Sequence, residues 1–482
     1  MLEINNQFTF MKRRLETEVI KSFFKGTLAE DVDKIPIVII PKDRIPNRCC
    51  IYKERAMLRY RIMAMMGIDI ERFDDEMKPL SAYVKEVMEK DQPAAPMLTT
   101  ISTGCYGCPP EQYRVTDQCR GCFARPCTAN CPRDAIDFAT GKAHINTDRC
   151  IRCGKCKEVC PYTAIIHIPV PCEAACPVGC VKKNEKGYVE IDHKHCISCG
   201  RCASSCPFGA IVERSGLFPV LKRLASDQPV VAMIAPAIEG QFPGTLAQIV
   251  AALLKVGFSR VVEVSRGAEV TSINEAKELE ERKAKGEWMT TSCCSAYLEI
   301  GNKLLPYMRG RRSDAKTPMA YTGEIVRKEN PGAFSVFIGP CFAKKIEAAR
   351  DPNVDGVITF SELAALFMAK DIDVREMQPA DLGDDKTFSD CRGFAVSNGV
   401  ISSVMRRYHG PEPKVMDING VDKKVYTLMK VWEKRKPDAD IIEVMCCEGG
   451  CIGGPGCIVK PQVALRLRGG NKAATPVKSM TK

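Results

Sequence analysis

Cysteine is the residue type with the most chemistry to offer in this chain, since 27 of its 482 residues are cysteines. Seventeen of them lie between residues 104 and 207. The N-terminal segment has neither an apolar stretch nor a small-residue cleavage site, so we expect no secretory signal and a cytoplasmic location. Because the cytosol keeps thiols reduced, a disulfide framework is disfavoured, and metal binding is the predicted use of these thiols.

Two runs with the spacing C-x2-C-x2-C-x3-C-P indicate the kind of metal centre. They contain Cys150, Cys153, Cys156 and Cys160, and then Cys196, Cys199, Cys202 and Cys206. This spacing is typical of bacterial ferredoxins, in which a run gives three thiolates to one 4Fe–4S cubane and its fourth to another. Structural zinc also uses C-x2-C pairs, but such pairs usually stand apart along the chain, so we favour cubanes.

A looser run and a shorter segment extend this pattern. The looser run contains Cys119, Cys122, Cys127 and Cys131. Pairing it with the next run predicts one cubane on Cys119, Cys122, Cys127 and Cys160, and a second on Cys150, Cys153, Cys156 and Cys131. A third cubane would combine Cys176 with Cys196, Cys199 and Cys202. A fourth could use Cys206, Cys172 and Cys180 with a ligand left open, for which Cys105 and Cys108 are candidates; incidental thiols are equally compatible with that pair.

Composition divides the chain into four predicted regions. Residues 1–103 are charged, methionine-rich and mainly helical, with no assigned role, and residues 104–216 form an α+β ferredoxin-like cluster relay. Residues 217–465 alternate strand and helix patterns and are predicted to be α/β, with parallel sheets flanked by helices. Residues 466–482 are polar and basic and are predicted to be a flexible tail.

The α/β region places further cysteines at the ends of predicted strands. An apolar run at 229–236, a helical pattern at 245–258 and a second run at 260–265 indicate a right-handed parallel crossover unit. Three later strand patterns lead directly into Cys293–Cys294, into Cys341 and into Cys446–Cys451. Ligands of open parallel sheets lie beyond the carboxyl ends of the strands, so these distant thiols can meet at one site.

The segments around these cysteines resemble the three signature loops of iron-only (FeFe) hydrogenases. They read TSCCSAY (291–297), GPCFAKKIE (339–347) and VMCCEGGCIGGPG (444–456), and the first and third are most similar to the group B branch. The resemblance implies an H-cluster, a cubane joined to a diiron unit that carries CO, CN and a bridging dithiolate amine. It implies that Cys294, Cys341, Cys447 and Cys451 ligate the cubane and that Cys451 bridges to the diiron unit. Cys446 and Cys457 are interpreted as packing thiols.

The same resemblance assigns roles around the diiron unit. Cys293 would pass protons to and from the bridging amine, and Lys344 would donate a charge-assisted hydrogen bond to a cyanide ligand. The backbone at Pro236–Ala237 and the side chain of Met445 would line the pocket.

A proton path is implied as well. Glu275, Glu278 and Arg282 share one face of a predicted helix, and Ser313 aligns with the relay serine of the family. The implied path runs from Cys293 through water, Glu275, Ser313 and Glu278 to Arg282 at the surface. Taken alone, the helix pattern is also that of an ordinary solvated face.

The predicted activity is the interconversion of hydrogen with protons and electrons, and the electrons would pass through three or four additional 4Fe–4S clusters. Soluble ferredoxin or flavodoxin is the expected electron partner, and hydrogenase maturation factors would insert the cluster. A non-catalytic iron–sulfur carrier or assembly protein on the same scaffold, or a hydrogen sensor, is the alternative. The formal net charge of +11 is spread without a long basic block, and the longest apolar runs are too short to span a bilayer, so neither nucleic acid nor membrane is an expected partner.

Overall fold

The structure, a computed structural model, describes residues 6–73, 75–89, 96–383 and 390–472. Its N-terminal region is helical, as predicted. The helices are α1 (Gln7–Lys25), α2 (Leu28–Asp31), α3 (Ile35–Ile39), α4 (Ile51–Met65), α5 (Ile70–Phe73) and α6 (Leu80–Glu89). Helix α1 begins after Asn6, whose side chain accepts a hydrogen bond from the Thr9 amide, and ends at Gly26 in the left-handed conformation.

The cysteine-rich region consists of short antiparallel strand pairs and short helices. Its strands are β1 (Leu98–Thr100), β2 (Gln112–Val115), β3 (Ile136–Asp137), β4 (His144–Ile145), β5 (Ile165–Ile168), β6 (Val181–Lys183), β7 (Val189–Ile191) and β8 (Ile211–Glu213). Its helices are α7 (Pro126–Ala129), α8 (Lys155–Glu158), α9 (Pro171–Ala175) and α10 (Arg201–Ser205). Strand β1 lies before the predicted start at residue 104 and pairs with β8.

Two modules of the same topology are nested in this region. The inner module pairs β2 with β5 and β3 with β4, and its helices are α7 and α8. The outer module pairs β1 with β8 and β6 with β7, and its helices are α9 and α10. The inner module lies between β1 and α9 in the chain, so it is an insertion into the outer one.

The C-terminal region is α/β with two parallel sheets. Its strands are β9 (Val230–Ile234), β10 (Arg260–Glu263), β11 (Met289–Thr290), β12 (Phe334–Gly339), β13 (Gly356–Thr359), β14 (Val415–Asn419) and β15 (Ile441–Met445). Its helices are α11 (Leu217–Leu224), α12 (Leu246–Val256), α13 (Ser265–Ala284), α14 (Ser295–Lys303), α15 (Pro318–Glu329), α16 (Ala343–Ala348), α17 (Phe360–Ala369), α18 (Gly399–Met405), α19 (Lys423–Val431) and α20 (Pro461–Lys472). The sheet orders are β10-β9-β12-β13 and β11-β15-β14.

Burial explains why these strands form parallel sheets. All five residues of β9, six of β12 and five of β15 are buried, as in sheets that are covered on both faces. Helix α1 packs along α17, so the N-terminal helices share a hydrophobic core with the larger sheet. The predicted fold class is therefore confirmed, while strand β14 of the smaller sheet was not predicted from the sequence pattern.

The C-terminal end differs from the predicted tail. Helix α20 extends to Lys472, so residues 466–472 are helical and were wrongly assigned to the tail. The reason is that the Arg468 guanidinium is buried and donates to the carbonyls of Pro236 and Arg392 at 2.7 and 3.0 Å. The remainder of the predicted tail, 473–482, lies outside the described residues. Within the described part of the chain, no helix is both long and apolar enough to cross a bilayer.

Candidate metal-cluster site

A buried cavity opens where strands of both parallel sheets end. It encloses about 80 Å³. The loops after β9, β11, β12 and β15 contribute most of its lining. The seven cysteines that line it are Cys199, Cys293, Cys294, Cys341, Cys446, Cys447 and Cys451. The structure thus brings together all four predicted cubane ligands, as well as Pro236, Ala237, Met445 and Lys344.

Close packing of two loops holds the thiols of Cys341 and Cys451 at the same cavity. A Cβ on Gly454 would lie 2.7 Å from the carbonyl oxygen of Pro340, so only glycine allows this approach. Gly450 adopts φ +84°, which turns the chain just before Cys451. The glycines of the last signature loop therefore serve to place a thiol beside another loop.

The donor set of the cavity fits an iron–sulfur group. Apart from the thiols, its lining is apolar except for Ser295 and Lys344, and no described lining residue is a carboxylate or an imidazole. Soft thiolates in such a setting suit iron–sulfur clusters. The four predicted ligands are half-buried although the surrounding residues are buried, because their thiols face the cavity. A zinc site would hold four sulfurs within about 3.8 Å of each other. In the described ranges, no three His, Cys, Asp or Glu side chains lie close enough together to bind a single metal ion.

Cys293 lies beside the ligand Cys294 and lines the same cavity. Burial raises the pKa of the Cys293 thiol well above its usual value, and the nearby Glu275 carboxyl acts in the same direction. At neutral pH the group is therefore a thiol that carries its proton, as a proton donor next to a reaction site requires.

Lys344 reaches the cavity as part of a buried ion pair. Its Nζ lies 2.8 Å from the Glu347 carboxylate. Burial opposes the charged form, but the Glu347 carboxylate outweighs this and raises the pKa of Lys344. Glu347 also accepts hydrogen bonds from Ser295 and Thr317. Sequence reasoning missed Glu347, although the spacing from Lys344 to Glu347 on one helical turn was a usable signal.

Glu275 is completely buried below the cavity. Its Oε1 accepts hydrogen bonds from the amide and the hydroxyl of Ser292, at 2.8 and 3.0 Å, while its Oε2 has no partner among the described residues. Burial raises the pKa of Glu275 to about 8. The carboxyl group is therefore mostly protonated at pH 7, with one oxygen free to exchange a proton.

Ser313 and Glu278 form the next group of the predicted path. The Ser313 hydroxyl donates to Glu278 Oε2 at 2.6 Å, and Arg282 forms an ion pair with Glu278 at 2.6 Å. Ser292 and Ser313 also line a pocket of about 450 Å³ that reaches the exposed Asp314. Arg282 does not lie free at the surface as expected, because its side chain is 13% exposed and donates to the carbonyls of Gly310 and Arg312.

Glu443, which lies near Cys293, and Cys446, which lines the cavity, were not predicted as site residues. Burial raises the pKa of Glu443 to about 7, and its charge acts on Cys293. The Cys446 thiol lies beside Cys294, and their interaction lowers the pKa of Cys294 to about 6. Glu443 sits inside the apolar pattern of β15, so nothing in the sequence marked it.

The predicted relay cysteines fall into neighbouring sets. Cys131, Cys150, Cys153 and Cys156 line one small cavity. Cys119, Cys127 and Cys160 pack at the same apolar cluster of the inner module, with Cys122 close to Cys127. Cys176, Cys196, Cys199 and Cys202 interact electrostatically with one another. Cys199 of this last set also lines the large cavity, so the third predicted cubane lies directly beside it.

Comparison with known families agrees with this arrangement. Residues 228–455 match the iron-only hydrogenase large subunit, C-terminal domain. Residues 143–166 and 189–212 match the 4Fe-4S binding domain. The chain is thus an FeFe hydrogenase-like iron–sulfur protein, in which residues 228–455 are similar to the C-terminal domain of iron-only hydrogenase large subunits.

Individual relatives are similar over about half of the chain. The NADP-reducing hydrogenase subunit HndD of Solidesulfovibrio fructosivorans is 29% identical, over 51% of this chain and 53% of the relative. Iron hydrogenase 1 of Clostridium pasteurianum is 25% identical, over 48% and 50%. The cytosolic Fe-S cluster assembly factor NAR1 of Candida dubliniensis is 30% identical, over 23% and 24%. The chain therefore spans about half the length of the curated hydrogenases it matches.

Solved structures of the FeFe-hydrogenase HydA1 from Chlamydomonas reinhardtii are also similar. A variant of that protein is 20% identical, with a TM-score of 0.44, over 52% of this chain and 88% of that one.

Proposed function

We propose that this protein catalyses the reversible oxidation of molecular hydrogen at an H-cluster, with electrons relayed through 4Fe–4S clusters to a soluble carrier. The observation that carries the proposal is the convergence of Cys294, Cys341, Cys447 and Cys451 on one cavity that also contains a fifth thiol, Cys293. Four ligands alone would suit a cubane of any function, whereas the additional protonated thiol suits proton transfer.

In this proposal Cys294, Cys341, Cys447 and Cys451 would hold the H-cluster through their thiolates. When bound, the cluster supplies redox-active iron for hydrogen and a basic amine for the proton. The Lys344 ammonium places a fixed positive charge at the cavity and is held there by Glu347. Apolar groups of Pro236, Ala237 and Met445 keep water out, which strengthens each electrostatic interaction inside.

Protons would leave by way of Cys293 and the groups behind it. Glu275 is protonated and keeps one unpartnered oxygen, and Ser313 and Glu278 are already hydrogen-bonded to each other. Bridging water would be needed between Cys293 and Glu275, and again between Glu275 and Ser313. Arg282 then acts as the group that positions Glu278, and the pocket at Asp314 is the exit.

Electrons would leave through the third predicted cubane, because Cys199 lines the catalytic cavity. Gly200 makes this close approach possible, since a Cβ there would lie 2.6 Å from the Phe342 ring. Soluble ferredoxin or flavodoxin is the proposed partner, the cytoplasm the proposed location, and maturation factors the proposed source of the diiron unit.

A non-catalytic assembly or carrier protein is the second candidate, and the similarity to the NAR1 assembly factor favours it. Such a protein would need the cubane ligands but neither Cys293 nor the buried pair of Lys344 and Glu347. The presence of these groups in one cavity is the reason why we favour the enzyme.

Infrared spectroscopy separates the two candidates. After anaerobic maturation, we expect the full chain to show bands of iron-bound CO and CN and to take up or release hydrogen with a redox dye. A protein that contains its 4Fe–4S clusters but lacks these bands after competent maturation would be a carrier. A known hydrogenase that is matured in parallel serves as the control for maturation.

The position of the Cys446 thiol beside Cys294, where it can donate a hydrogen bond to the Cys294 sulfur, leads to a separate prediction. Hydrogen bonds to cluster sulfurs raise reduction potentials, so we expect Cys446→Ala to lower the potential of the catalytic cubane by an amount on the order of tens of millivolts. Cys446→Ser, which keeps a donor, should retain most of the potential. Redox titration followed by electron paramagnetic resonance measures both, and an unchanged potential in Cys446→Ala would contradict the role of this bond.

A further inference from the structure

We propose that Cys105, Cys108, Cys172 and Cys206 bind a fourth relay cubane, which lies where the inner module is inserted into the outer one. This cubane extends the electron relay of the proposed function. Its binding requires only these four thiols and is independent of hydrogen chemistry at the catalytic cavity.

The first support is the shared topology of the two modules. Each begins with a strand, two cysteines and a short helix that contains one cysteine and is followed by another. A hairpin, a four-cysteine run with a second helix, and a closing strand complete each module. In the inner module the first cubane takes Cys119, Cys122, Cys127 and Cys160 by the ferredoxin rule. The positions that correspond to these four in the outer module are Cys105, Cys108, Cys172 and Cys206.

The two C-x2-C pairs share a glycine with positive φ at the same place. Cys119–Cys122 reads CRGC and Cys105–Cys108 reads CYGC, with glycine in the third place of each. Gly121 has φ +58° and Gly107 has φ +63°, so both loops make the same left-handed turn between their cysteines. An incidental pair of thiols has no reason to repeat this geometry.

The helices and the hydrogen bonds to sulfur repeat as well. Cys127 and Cys172 each follow the proline that begins a helix, α7 in the inner module and α9 in the outer. The amide of Ala164 donates to the Cys160 sulfur at 3.4 Å, and the amide of Ala210 donates to the Cys206 sulfur at 3.5 Å. Amides directed at sulfur are the environment that a cluster ligand requires.

The four thiols are also neighbours in space. Strand β1 pairs with β8, and the Ile101 amide donates to the Ala210 carbonyl at 2.7 Å, so the chain that leads to Cys105 runs beside Cys206. Cys108 interacts electrostatically with Cys105 and Cys206, and Cys172 with Cys206. All four belong to or pack against one apolar cluster. The side chain of Lys183 donates to the Cys108 carbonyl and holds this loop against the hairpin of β6 and β7.

Cys180, which the sequence also offered as a ligand, has a different place. Its sulfur lies 3.5 Å from that of Cys176, and its amide donates to the Cys176 sulfur at 3.3 Å. The inner module has Ala135 at the corresponding position, with its amide donating to Cys131 in the same way. Since alanine cannot ligate iron, this position serves through its backbone, and Cys180 is a buried thiol beside the third cubane.

Iron content tests the assignment in the full chain. After anaerobic reconstitution with iron and sulfide but without maturation factors, the catalytic cubane and four relay cubanes give about 20 iron atoms and as many sulfides per chain. Three relay cubanes would give about 16. We expect the double variant Cys105→Ser/Cys108→Ser to contain about four fewer iron atoms than the wild type. The integrated spin of the reduced protein should fall by the contribution of one cubane. Cys180→Ser, the matched control, should keep the wild-type content.

Each outcome of this experiment is decisive for the cubane. A wild-type content of about 16, full iron in the double variant, or loss of four iron atoms in Cys180→Ser would overturn the assignment. The wild-type count remains informative even where the double variant does not fold. Missing CO and CN bands after maturation would remove the proposed activity but leave this iron count unchanged, so the two proposals fail separately.

Discussion

Cys293→Ala is expected to retain its clusters and to lose nearly all hydrogen turnover. The thiol lines the cavity beside the ligand Cys294, and its raised pKa keeps the proton on sulfur at neutral pH. A positioned proton donor contributes about 10²- to 10⁴-fold, so turnover should fall by at least this factor. Iron content and infrared bands should match those of the wild type, because Cys293 is not among the proposed ligands.

Cys391→Ala is the matched control for this variant. Cys391 is a fully buried thiol in the apolar cluster against which Cys293 packs, but it does not line the cavity. Its loss tests the effect of deleting a buried sulfur nearby, and activity should stay close to that of the wild type. Turnover of Cys293→Ala at the wild-type rate, measured with dye reduction under hydrogen, would rule out the relay role.

Glu275→Gln is expected to cause the second large loss, about 10²-fold or more in turnover at pH 7. The amide keeps the hydrogen bonds from Ser292 but cannot exchange a proton through the second oxygen. Cluster content should be unchanged, since Glu275 does not line the cavity. Glu281→Gln, on an exposed part of the same helix, is the control and should retain activity.

The same variant should change the pH dependence of stability. The pKa of Glu275 is about 8 when folded and about 4.5 when exposed, so unfolding releases a proton between these values. Wild-type stability therefore contains a contribution that is complete below pH 4.5 and is lost as the pH rises through 8, at up to about 1.4 kcal/mol per pH unit. Thermal unfolding measured from pH 5 to pH 8 should show that the stability of Glu275→Gln increases relative to that of the wild type as the pH rises. A constant difference would mean that Glu275 is ionised in the folded protein.

The meeting of these thiols at one cavity could be predicted from the sequence, because strand patterns and cysteines coincide. Cys294, Cys341 and Cys447 each follow a predicted strand, and parallel strands end at the same side of a sheet. Glu443 escaped prediction for a physical reason. A buried carboxylate is recognised by what surrounds it, and the partners of Glu443 are backbone amides of Asn398 and Ile401, far away in the chain.

For the relay clusters, the sequence left part of the ligand assignment open. Spacing alone pairs cysteines that are close in sequence, which made Cys180 a candidate ligand and left Cys105 and Cys108 open. Only the pairing of β1 with β8 shows that the outer module is divided in the sequence. It begins before the inner module and continues after it. Nested topology cannot be read from spacing, because the strands that define it are three residues long and carry little pattern.

The nesting also has a consequence for how the chain is assembled during synthesis. Gln112 and Ile168 are paired partners on β2 and β5, so the inner module begins and ends at one edge. Once the inner module has folded, the segment from Cys108 to Cys172 behaves as a short loop. The entropy cost of bringing Cys108 and Cys172 together in the outer module is therefore smaller. All cysteines of the inner module leave the ribosome before Cys172, so the two cubanes proposed for it could be filled first, and the folded inner module would then be the nucleus on which the outer module closes.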